Sequence, residues 1–215
     1  MTSYAPPPLP PEVPELPSAP ARRRPRAVDA LIEIVTTVAL AVILYLVIQT
    51  FLVQTFRVEQ QSMLTTLLPD QHLLIDKLTP RFDDYSRGDI IVFRAPRRFS
   101  PDGTPFIKRV IGVAGDRIEV KESAAWVNGV RLTEPYVEEE YPTEPQGKGS
   151  EWVVGPGELF VMGDHRDASV DSRAFGVIRV DDVIGRALIR FWPPSSLGIL
   201  QTPTYPDVPA GTAGA

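Results

Sequence analysis

The fold turns on FIKRVIGVAGDRIEVKESAAWVNGVRL, residues 106–132. Short apolar runs rich in valine and isoleucine follow one another here, broken by turn residues. Asn128-Gly129 lies between two such runs and predicts a type I′ hairpin, because both central residues of that turn need positive φ. In the first run, alternation sets Phe106, Lys108 and Val110 on one face and Ile107, Arg109 and Ile111 on the other. Similar runs recur in both directions, as HLLIDKL (72–78), GDIIVFRA (88–95), ELFVM (158–162) and VIGRALIRFW (183–192). No long segment of helical period follows residue 57. The pattern predicts a mostly β domain of twisted antiparallel sheets over residues 57–192.

Upstream, IVTTVALAVILYLVIQTFLVQTF (34–56) carries no charge. As a helix it would be about 34 Å long, enough for a hydrocarbon core of about 30 Å. A single transmembrane helix is expected over residues 30–56. Arg22, Arg23, Arg24 and Arg26 precede it and only Arg57 follows closely, so positive-inside bias puts the N-terminus in the cytoplasm and the β domain on the outer side. The 23 prolines gather at the ends. Residues 1–29 read as a disordered proline-rich cytoplasmic head, and 193–215 as a loose Pro/Gly-rich tail. Residues 134–151 hold six glutamates and read as an acidic excursion on the surface.

Composition narrows the chemistry. A formal charge of −5 with no basic stripe gives no support for nucleic acid as a partner. The chain has no cysteine, which excludes disulfides and thiol catalysis. His72 and His165 are the only histidines, and neither has a carboxylate pair at ligand spacing, so no metal and no cofactor is expected. Three features remain. Ser62, in VEQQSMLTTL (58–67), comes just after the apolar run, as a cap, a loop residue or a nucleophile. Either histidine could serve as its base. So could Lys108, whose neighbours on its own face are apolar and would favour the neutral amine. The other lysines, Lys77, Lys121 and Lys148, have the polar neighbours of surface residues. VMGDHRDASVDSRAFG (161–176) crowds Asp164, Arg166, Asp167, Ser169, Asp171, Ser172 and Arg173 into ten positions, which suggests a turn crosslinked by ion pairs.

Taken in order behind a membrane span, VEQQSMLTTL, GDIIVF through IKRVIGVAGD, and GDHRDASVDSRAFG resemble the motifs of bacterial type I signal peptidases, the membrane-bound Ser/Lys endopeptidases. The resemblance implies that Ser62 attacks the scissile carbonyl of an exported preprotein, with Lys108 as its base. Ser169 would hydrogen-bond and orient the lysine, and Asp171 and Arg173 would brace their loop as an ion pair. The backbone N–H of Ser62, with Gln60, would form the oxyanion hole. Val58 and Ile107 would line shallow pockets for small side chains, with Met63 beside the substrate. Signal-peptide-bearing preproteins, membrane lipid and the secretion translocon are the implied partners, and the cytoplasmic (inner) membrane the implied location. Gln60, Gln61, Thr65, His165 and Ala168 depart from the usual motif residues. Gln60, Gln61 and Thr65 leave an alternative, a catalytically impaired membrane-anchored β-domain that binds exported chains. Self-cleaving repressors share the Ser/Lys chemistry, but the membrane span argues against them.

Overall fold

The computed structural model describes residues 26–78, 82, 84–147 and 149–211. The head before Arg26, Lys148 and residues 212–215 lie outside them. The chain divides into two compact units, Met1–Ile43 and Leu44–Ala215. Helix α1 spans Arg26–Val47. Its stretch Ala27–Val47 has 21 residues and a mean hydropathy of 2.5, long and apolar enough to cross a membrane. Thr36 and Thr37 do not break it, because their hydroxyls donate back to the carbonyls of Ile32 and Glu33 at 2.8–2.9 Å.

Sequence alone carries this helix to Phe56, and the structure ends it earlier. A π-turn spans Ile48–Leu52, and Val53–Arg57 then runs as strand β1. Its hydrogen-bonding partner is β2 (His72–Asp76), in register Val53↔Asp76 through Arg57↔His72. An apolar run rich in β-branched and aromatic residues satisfies either period, so hydrophobicity could not locate the switch.

The remaining strands are β3 (Ile90–Phe93), β4 (Phe106–Gly112), β5 (Arg117–Lys121), β6 (Ala124–Val127), β7 (Val130–Arg131), β8 (Glu151–Val153), β9 (Glu158–Met162), β10 (Ile178–Arg179), β11 (Val183–Trp192) and β12 (Gly198–Ile199). All pairings are antiparallel. The large sheet runs β1-β2-β11-β3-β4-β9-β10, with β12 on β11, and a second sheet runs β7-β6-β5-β8. One turn of helix, α2 (Ser172–Phe175), precedes β10. The fold is mostly β, as the run of short strands indicated.

At the centre of the large sheet β3 and β4 are buried on both faces. Ile90, Val92 and Ile107 enter one apolar cluster with Val58, Leu73 and Ile75. Ile91, Phe93, Phe106 and Val110 enter another with Leu159 and Val161. Lys108 and Arg109 are therefore buried at the centre of the large sheet, one toward each face. The hairpin at Asn128-Gly129 forms as expected, with φ of 52° and 80° and Val127 opposite Val130. Glu122 and Ser123, φ 51° and 55°, make a second left-handed turn between β5 and β6 with no glycine to signal it.

Two segments are more ordered than their composition suggests. The acidic stretch 134–151 exposes Glu138, Glu139 and Glu140 but buries Thr143, 3% exposed. The tail packs as far as Gly211: Tyr205 and Val208 join the core of the second sheet, and Pro209 O accepts from Arg87 Nη2 and Asn128 Nδ2. An extended proline-rich chain makes no internal hydrogen bonds. It is free to dock by side chains and carbonyls on a surface that offers partners.

Candidate active site

Ser62 opens a tight turn after β1. Leu64 N donates to Gln61 O at 3.1 Å and Leu67 N to Met63 O at 2.8 Å. Met63 and Leu67 drop into the core and pin the turn from below. Ser62 itself is 3% exposed, and its Oγ meets Lys108 Nζ across 2.7 Å. The two residues lie 46 apart in sequence. Lys108 reaches Ser62 from β4, where it stands opposite Ile91 on β3. Its Nζ lies 5.1 Å from the Phe106 ring centroid and bonds Ile107 O at 3.1 Å.

Burial disfavours the ammonium and lowers the Lys108 pKa to about 8. Asp171 and Asp164 pull the other way, and the Arg173 guanidinium reinforces the lowering. Each of these carboxylates is held by an arginine. Arg173 grips Asp171 with Nε to Oδ1 and Nη2 to Oδ2, both at 2.8 Å. Arg109 grips Asp164 likewise, at 2.9 and 2.7 Å. The arginines offset the carboxylate charge next to the amine, which keeps a neutral lysine accessible near physiological pH.

Those pairs belong to the loop 163–173, which is built around the serine. His165 N donates to Ser62 O at 3.1 Å. Thr66 Oγ1, from the serine's own turn, donates to Asp164 Oδ2 at 2.5 Å. Gly163 lies where loop and serine pass closest. A Cβ there would stand 2.3 Å from Ser169 Oγ and 2.4 Å from Ser62 O. Buried Arg166 binds Gly163 O, Glu134 and Thr143 Oγ1, while Arg173 Nη1 donates to Glu144 O. Two fully buried guanidiniums need this many acceptors, and the acidic stretch supplies them, which is why it is not a free excursion.

A family model described as signal peptidase, peptidase S26, matches residues 31–192. The chain belongs to that family. It is similar to signal peptidase I of Leptolyngbya laminosa, 38% identical over 85% of this chain and 90% of that one. Signal peptidase IB of Staphylococcus aureus is 30% identical over 76% of this chain and 90% of its own. A solved signal peptidase I from Enterococcus faecalis V583 is 30% identical, covering 48% of this chain and 97% of that structure, with a TM-score of 0.40.

Not every residue singled out in this peptidase falls where the sequence suggested. Ser62 and Lys108 meet, and Asp171 and Arg173 form the expected ion pair. Ser169 does not bond the lysine: its buried Oγ has no hydrogen-bond partner, and its carbonyl accepts from Gln146 Nε2 at 2.8 Å. Val58 and Met63, both 0% exposed, are core residues and do not line the open groove beside the site. Ile107 does. That groove, about 310 Å³, has Thr55, Phe56, Glu59 and Gln60 on one wall and Thr104, Pro105 and Ile107 on the other. Gln60 is exposed on its rim. Neither imidazole serves Ser62 Oγ: His72 packs edge-on to Phe191, and His165 faces Gln61 O and Asp167. Sequence reasoning passed over Gly163, Arg109 and Thr66. A doubly buried strand gives no polar–apolar alternation to mark Arg109, and the close approach at Gly163 exists only in three dimensions.

Proposed function

We propose that Ser62 and Lys108 are the catalytic dyad with which this signal peptidase, a serine endopeptidase, removes signal peptides from preproteins. Neutral Lys108 takes the Oγ proton as Ser62 attacks the scissile carbonyl. The Ser62 N–H receives the developing oxyanion. The ammonium then protonates the leaving amine, and the neutral lysine next activates the water that hydrolyses the acyl-enzyme. Asp171 and Arg173 hold the loop that carries Ser169. The groove receives the chain on the acyl side of the cut, with Ile107 as the apolar wall that favours small side chains. The single observation that carries this reading is a fully buried lysine amine 2.7 Å from a serine hydroxyl. The intact pair also speaks against a β-domain that only binds.

The test is cleavage of a preprotein with an Ala-x-Ala site in detergent or lipid, after all variants are shown to be folded. The wild type is expected to cut after the second alanine, with Ser62→Ala and Lys108→Met inactive. Cleavage by either variant would overturn the dyad. For placement, α1 sits in membrane lipid with the N-terminus cytoplasmic, as the arginines before it imply. Protease added to sealed, right-side-out cells should then reach the β domain and spare the head; the opposite pattern would reverse the topology.

A further inference from the structure

His165 is outside the dyad, yet it touches the nucleophile's turn twice. Its backbone N–H donates to Ser62 O at 3.1 Å, and its Nδ1 lies 3.3 Å from Gln61 O. On the other side Nε2 lies 3.0 Å from the Asp167 carboxylate. The ring packs against Tyr141, centroids 4.3 Å apart, and the side chain is only 13% exposed. These contacts hold the imidazole in one orientation.

Gln61 C=O and Ser62 N–H are the two ends of one planar peptide unit. A donor on that carbonyl sets the direction of the N–H. Gln61 O already accepts from Leu64 N at 3.1 Å, and a carbonyl has a second lone pair. Filling it stops the unit from rocking and polarises its N–H. Whether Nδ1 can fill it depends on charge. A neutral imidazole has a single N–H, and the nearer, anionic Asp167 claims it at Nε2. Nδ1 then turns a lone pair toward Gln61 O, and the contact is repulsive. The imidazolium donates to both.

We propose that His165 is a positioning residue for the oxyanion donor, holding the Gln61–Ser62 peptide unit when its ring is charged and releasing it when neutral. The proposal rests on the reading above that Ser62 N–H serves the oxyanion. The groups facing the ring are Asp167 on its own loop and Tyr141 from the acidic stretch, with Glu138 and Glu140 beside that tyrosine. From the serine's turn the Gln61 carbonyl faces it.

The experiment compares kcat for preprotein cleavage between pH 5.5 and 9.5 in the full-length wild type, His165→Asn and Asp167→Asn. Asparagine at 165 keeps an amide N–H near the place of Nδ1 that does not titrate. The ratio of H165N to wild type should be near one in acid and climb about fivefold toward alkali, the effect of one net hydrogen bond. KM should not move, because the oxyanion exists only in the transition state. D167N, at an exposed position, frees the neutral ring to carry its proton on Nδ1 and should show the same climb. Ratios that do not change with pH in both variants, or an effect confined to KM, would overturn the proposal. Cleavage by Ser62→Ala would bring down the dyad reading instead. Flat ratios in an enzyme inactivated by S62A bring down only the role of His165.

Discussion

Lys108 is charged at an energetic cost. Its folded pKa, about 8, lies below the ordinary 10.5, so below pH 8 the amine is protonated both folded and unfolded and the burial penalty is fully present. The penalty fades as pH rises from about 8 to 10.5, where the folded state has lost its proton and the unfolded state still binds it. A shift of that size corresponds to about 3 kcal/mol. Lys108→Met should therefore be catalytically dead yet more stable at pH 7, by up to about 3 kcal/mol, with the gain shrinking toward pH 10. Denaturant unfolding at both pH values checks this. The lysine was legible because it interrupts an apolar face of a strand. Its partner serine was legible only as one polar residue among several, since nothing local says that two residues 46 apart will meet.

At the scale of elements, loop 163–173 carries the site's precision. It ties to the serine's turn through His165 N and Thr66, and to β4 through Arg109. Gly163→Ala introduces a methyl group where Ser62 O and Ser169 Oγ already stand within 2.4 Å. The backbone of one or the other must move by a large part of an ångström, and a displacement of that order costs about a hundredfold in rate. Steady-state kinetics should show the loss in kcat while circular dichroism retains the β signature. The crowding of charge between Asp164 and Arg173 marks a crosslinked turn in the sequence itself. What it did not announce were the partners, Glu134, Thr143 and Glu144, because segments far apart in sequence supply them.

For the whole molecule, local pattern and turn chemistry mark β2 to β7, β9 and β11, whereas the pairing order of the large sheet and the two ends of the β unit were not legible. The helix-to-strand switch at Val53 depends on β2 as a pairing partner, and the docking of the tail depends on the Tyr205 and Val208 sites in the second sheet. Truncation after Leu200 should expose that core and lower the thermal midpoint by several degrees, on the scale of about 2–4 °C per kcal/mol for a chain of this size. An unchanged midpoint would mean that the tail is as loose as its composition implies.

The central claim is that a buried, neutral Lys108 is the base for Ser62. The most direct test is the single-turnover rate of preprotein cleavage as a function of pH, with chemistry made rate-limiting by a poor substrate. The account predicts a rate that rises with pH through about 8, as the amine loses its proton, and falls away in acid. A rate that stays flat between pH 6 and 9 would contradict it.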